Sequence, residues 1–118
     1  MLEDIITISM LYDFYGNLLP QRQGEFFRLY REENWSLSEI ADTFGLSRQG
    51  VYDSVKKAER SLYDYEEKLG LMERFRRTEQ ALQTIDRAIA ALIDQSGHDR
   101  ALTEQLLRIR NTADALGE

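Results

Sequence analysis

Arg48, Gln49, Tyr52 and Lys56 have side-chain types and spacing suited to reading the edges of base pairs. Arginine makes paired hydrogen bonds to guanine and glutamine to adenine, both in the major groove. If a helix begins just after Ser47, these are its first exposed residues. The N-terminal residues of such a helix are the ones that reach base edges. DNA is therefore the expected partner of this segment.

The surrounding residues are those needed to position such a helix. The stretch LSEIADTFGLSRQGVYDSVKKAERSL, residues 37–62, reads as a helix-turn-helix with a motif core at 37–60. Two helices crossing steeply over a tight turn need a small residue at the crossing and a residue tolerant of positive φ at the corner. Ala41 and Gly45 supply these. Helices over 37–43 and 47–60 would turn Ile40, Phe44, Leu46, Val51 and Val55 inward and leave polar positions between them. Ser36 and Ser47 each stand where a side-chain oxygen can cap a helix start, and Glu39 completes the S-x-x-E capping box after Ser36. Gly50, in the first turns of the second helix, has two readings: close approach of a backbone or phosphate, or simple tolerance near a helix start. Helices joined at a glycine corner also occur in bundles that touch no nucleic acid.

Composition limits the rest. A chain of 118 residues holds one domain with a modest core, or a small domain with a helical appendage. With no cysteine there are no disulfides or thiolate metal sites. No basic-then-apolar leader opens the sequence, and no apolar run approaches the length that spans a bilayer, so a cytoplasmic protein without membrane insertion is expected. The single proline, the abundance of strong helix formers and the three-and-four apolar spacing predict an all-α fold. No P-loop, nucleophile elbow or histidine-carboxylate motif is present, so neither catalytic residues, a metal nor a cofactor is expected. His98 reads as a solvated turn residue, and pairs such as Glu32-Glu33 and Glu66-Glu67 read as solvated helix faces.

Charge opposes tight DNA binding. The net charge is −6, whereas affinity for DNA comes largely from cations neutralising phosphates. Residues 36–60 are neutral, with Arg48, Lys56, Lys57 and Arg60 balanced by Glu39, Asp42, Asp53 and Glu59. Two recognition helices presented by a dimer would double the contacts. A homodimer, or a second DNA-binding protein alongside, is the expected arrangement.

Three segments follow from the patterning: a leading apolar helix in 1–17, the helix-turn-helix domain in 18–69, and a helical dimerisation segment in 71–118. Residues 3–15 begin with Glu3 and Asp4, suited to a helix N-terminus, and carry apolar side chains around nearly the whole circumference. Such a helix needs cover on more than one side. Pro20 suits the first turn of the next helix, Glu32-Glu33-Asn34 marks its end, and Trp35 at the following corner is expected in the core rather than as a base-stacking platform. Beyond residue 60 the spacing carries the recognition helix on to Gly70. Phe75, Leu82, Ile85, Ile89 and Leu92 then form a heptad seam, and the same spacing resumes after the turn at 95–98. The two segments either fold back as a hairpin or pair across a dimer. Ile5 and Ile8 of the leading helix, with those five seam residues, are the candidate dimerisation positions.

Residues 18–62 also resemble the C-terminal promoter-reading domain of bacterial sigma factors. The shared features are the LPxRQ lead-in, the SLSEIA helix, the FGLSRQGV corner and the KKAExxL exit. Over residues 1 to about 95 the chain is similar to the small YlxM-type proteins of Gram-positive bacteria, which add a leading aromatic segment, here LYDFYGNLLP, and the run SLYDYEEKLGL. The resemblance implies DNA recognition by Ser47, Arg48, Gln49, Tyr52 and Lys56, with Lys57 and Arg60 on phosphates. It also implies a regulatory or accessory part in the signal recognition particle pathway, with components of that particle as partners.

Overall fold

The computed structural model describes residues 2–117, which form six α-helices and, among the described residues, no strand. They are α1 (Leu2–Tyr15), α2 (Gln21–Phe27), α3 (Leu37–Phe44), α4 (Arg48–Leu69), α5 (Leu71–Ser96) and α6 (Arg100–Ala115). A short 3₁₀ turn, Gly16–Leu18, follows α1, and a π-helical turn, Arg28–Glu32, extends α2. The chain divides into two compact units, one ending at Met72 and the other beginning at Glu73.

In the first unit α1 to α3 pack around α4. Of the apolar residues that encircle α1, Ile8, Leu11 and Tyr15 are buried at four-residue and three-residue steps, while Ile5, Ile6 and Met10 remain exposed. The side chains of Glu3 and Asp4 lie outside the described residues. Pro20 stands one position before α2, as its N-cap, where its carbonyl accepts from the Gly24 N–H at 2.9 Å. Phe26 and Phe27 carry α2 into the core: Phe26 meets Phe44 edge-on at 5.0 Å, and Phe27 stacks on Tyr12 at 5.0 Å. Trp35 packs against this core partly buried, its backbone N–H donating to the Leu29 carbonyl at 2.9 Å after Asn34 turns the chain at φ 60°.

Tyr15 fastens the end of α4 to the start of α5. Its buried hydroxyl donates to Glu66 at 2.6 Å and accepts from the Leu71 N–H at 2.9 Å, while the same Glu66 oxygen accepts from the Met72 N–H at 3.0 Å. The first amides of α5, which have no partner within their own helix, are satisfied in this way across the Gly70 corner.

The second unit is an antiparallel hairpin of α5 and α6. Asp99 caps α6 by accepting from the Leu102 N–H at 3.0 Å, and Gly97 turns the chain at φ 38°. Arg110 grips Asp86 with two hydrogen bonds of 2.6 and 3.1 Å, and Ile89 and Leu106 are buried in the seam between the helices. His98 lies exposed in the turn.

Candidate nucleic-acid interface

The corner of the motif is built by local chemistry. Ser36 Oγ accepts from the Glu39 N–H at 3.0 Å while Glu39 returns a carboxylate to the Ser36 N–H at 3.1 Å, so α3 begins with both halves of a capping box. Gly45 closes α3 at φ 68°, and the Leu46 N–H donates to the Ala41 carbonyl at 2.9 Å. Ile40, Ala41, Val51 and Val55 are buried at the crossing; Phe44 is half-buried, and Leu46 is exposed instead of turning inward. Ser47 caps α4 through the Gly50 N–H at 3.0 Å. A Cβ added at Gly50 would meet Ser47 Oγ at 3.1 Å, so the close approach at this glycine is to the cap itself.

All seven sequence-derived contact residues lie on or beside the outer face of α4. Ser47, Arg48, Gln49, Tyr52, Lys57 and Arg60 are exposed, and Lys56 keeps 45% of its side chain accessible. Their neighbours divide them. Gln49 donates to Asp53 at 2.9 Å, and Lys56 donates to Glu59 at 3.4 Å while lying 5.7 Å from the Tyr52 ring centre. Arg48, Lys57 and Arg60 have no ion-pair or hydrogen-bond partner among the described residues. Three cations are thus directly available to an anion, while one cation and the glutamine are engaged by carboxylates on their own helix.

Two grooves flank Tyr52. One, of about 590 Å³, is lined by Tyr30, Leu37, Arg48, Gln49 and Tyr52; the other, of about 420 Å³, by Tyr52, Asp53, Lys56, Glu59, Arg60 and Tyr63. Tyr30 and Arg31 were not legible as site residues. Tyr30 and Arg31 both lie on the π turn after α2, and Arg31 reaches from it to Glu59 on α4. Arg31 bonds Glu59 through Nε at 3.1 Å and Nη2 at 2.5 Å. Glu59, with only 13% of its side chain exposed, therefore holds Arg31 and Lys56 together.

The candidate dimerisation positions are dispersed. Ile8 lies in the core of the first unit and Ile89 in the hairpin seam, so each is covered by its own chain and neither is free to form an interface. Leu82 is half-buried in the hairpin, beside Gly117. Ile5, Phe75, Ile85 and Leu92 are exposed.

Among the described residues no helix is long and apolar enough to cross a membrane, and no group of three or more His, Cys, Asp or Glu could hold a metal ion. Residues 2–100 match the model of a family, UPF0122, described as "Putative helix-turn-helix protein, YlxM / p13 like". The chain belongs to that family. A UPF0122 protein of Halalkalibacterium halodurans is 35% identical over 116 residues, 98% of this chain and 99% of its own length. One from Thermoanaerobacter is 45% identical over 87 residues, 74% of each chain, and one from Exiguobacterium 43% identical over 101 residues, 86% of this chain and 94% of its own. The match takes in α1 to α5 together with the motif.

Proposed function

We propose that this protein is a helix-turn-helix DNA-binding regulator that acts as a homodimer, with no catalytic activity of its own, in the cytoplasm. The observation that carries this reading is the Ser47-capped start of α4. It presents Arg48, Gln49 and Tyr52 outward together, beside Lys57 and Arg60, and none of these three cations has an ion-pair partner among the described residues. In the major groove, Arg48 and Gln49 would reach base edges, while Lys57 and Arg60 would meet phosphates. The sigma-factor-like pattern of residues 18–62 supports the same docking.

Charge sets the affinity. Residues 1–72 hold thirteen acids and eight bases, so cations on α4 work against the field of their own domain. A single copy should bind weakly and with steep salt dependence. The direct experiment is titration of a fluorescent duplex at low and moderate salt. Binding that weakens with salt and further with Arg48→Ala supports the reading. No binding, or binding indifferent to both changes, defeats it.

The engagement of Gln49 by Asp53 and of Lys56 by Glu59 favours a second reading. In it the motif serves as a docking module for a basic protein or ribonucleoprotein, and the YlxM resemblance makes signal recognition particle components the partners to try. Retention of those components by the immobilised protein, without duplex binding, would select this alternative.

A further inference from the structure

The hairpin of α5 and α6 buries too little to stand uncovered. Of the fifteen buried apolar residues among the described ones, Ile89 and Leu106 alone belong to it. An amphipathic helix draws most of its stability from packing one apolar face, and units of this size commonly rely on association to complete a core.

The apolar residues left over share one side. One residue advances about 100° around a helix. Measured from buried Ile89, Asp86 lies on one side of α5, and Ile85 and Leu92 lie about 40–60° to the other. Measured from buried Leu106, Arg110 lies on one side of α6, and Leu102, Ile109 and Leu116 lie about 40–80° to the other. Asp86 and Arg110 bond to each other, which fixes one edge of the hairpin. The two leftover stripes therefore converge on the opposite edge and form one open face. Exposure on it runs from 40% at Ile85 and Leu102 to 73% at Leu116.

We propose that this face, formed by Ile85 and Leu92 with Leu102, Ile109 and Leu116, is covered by the same face of a second copy of the chain, giving a four-helix bundle. Both stripes repeat at seven residues, the spacing at which packed helices keep a seam in register. The next residues round are Ala81, Ala88 and Gln95 on α5 and Gln105 and Thr112 on α6. They are small or uncharged, so two copies can approach closely without like charges meeting. From residue 73 onward the chain carries eight acids and seven bases, leaving most of the net negative charge in the other unit. Five large aliphatic side chains make a patch of several hundred Å², the size at which exposed apolar surface marks a contact site. A two-fold contact counts that patch twice, which brings it into the range of about 1,000 Å² that a specific interface needs.

The bundle supplies the dimer required by the DNA-binding reading, yet it stands on the hairpin alone and is tested without DNA. Light scattering on the eluting full-length protein at tens of micromolar should give twice the chain mass of 13.8 kDa, and Ile109→Glu should halve it with helical circular dichroism retained. The chain has no cysteine, so single cysteines provide a second test that survives an unfolded Ile109→Glu variant. Leu102→Cys and Ile109→Cys should give covalent dimers on mild oxidation, whereas Asn111→Cys, on the opposite side of α6, should not. A wild-type mass of one copy, a mass of more than two, or equal cross-linking from Asn111→Cys would overturn the proposal. A dimer without duplex binding would leave the bundle standing and defeat only the DNA reading.

Discussion

Glu59→Gln should loosen the fold and tighten the hold on DNA at the same time. Glu59 accepts two hydrogen bonds from Arg31 and one from Lys56 with little of its side chain exposed, so it ties the π turn after α2 to the middle of α4. Exposed ion pairs contribute about 0–1 kcal/mol, and breaking a fully buried pair costs about 3–5 kcal/mol. This pair lies between those limits, and glutamine keeps the size and one acceptor, so a loss of about 1 kcal/mol is expected. In a domain of this size that lowers the melting temperature by roughly 4–8 °C. The same change removes one negative charge and releases Lys56 toward the phosphates. Each neutralised phosphate contributes a slope of about 0.9 to log K against log salt, so the variant should bind more tightly at low salt with a slope steeper by about 1. Thermal unfolding by circular dichroism and duplex titration across a salt series read both effects. An unchanged melting temperature, or weaker binding with the same salt slope, would show that Glu59 neither ties the turn to α4 nor restrains Lys56.

Two further outcomes follow from the corner and from the junction of α4 with α5. Gly45→Ala meets no neighbouring atom, so its cost is that of holding a side chain at φ 68°, about 1–2 kcal/mol, which a urea titration would register as a lower midpoint with unchanged steepness. Tyr15→Phe removes a buried hydroxyl that both donates and accepts, at a cost of about 1–3 kcal/mol. Burial, and then the hydrogen bond to Glu66, raise the Tyr15 pKa above its ordinary 10.0. The folded state thus prefers the protonated phenol. That contribution is complete below pH 10 and is lost as pH climbs through the raised value. Urea midpoints from pH 8 to 11 should fall more steeply for wild type than for Tyr15→Phe, and parallel curves would contradict the assignment.

The motif was legible because its signals are local. Ser36, Glu39, Gly45 and Ser47 act within four residues of themselves, and the structure places α3 and the start of α4 within a residue of the expected bounds. The continuation of α4 to Leu69 followed from spacing, and Gly70 stops it at φ 64°. What the sequence hid depends on separation. Nothing in α1 tells which of its apolar residues will face α4, because an all-round apolar helix has no preferred side until a partner is chosen. Arg31 with Glu59, Tyr15 with Glu66 and Arg110 with Asp86 join residues 24 to 51 positions apart, and no periodicity announces such pairs. The seam of the hairpin misled for a related reason: one heptad stripe contained both Ile89, spent inside the chain, and Ile85 and Leu92, left outside.

Base reading by the start of α4 is tested by selecting bound duplexes from a random pool, with wild type and Arg48→Ala side by side and no other protein present. Wild type is expected to enrich a defined half-site, repeated with two-fold symmetry, and Arg48→Ala to lose the preference at one base pair of each half while keeping the rest. Pools that stay random under wild type, or the same motif enriched by both proteins, would contradict base reading by the start of α4.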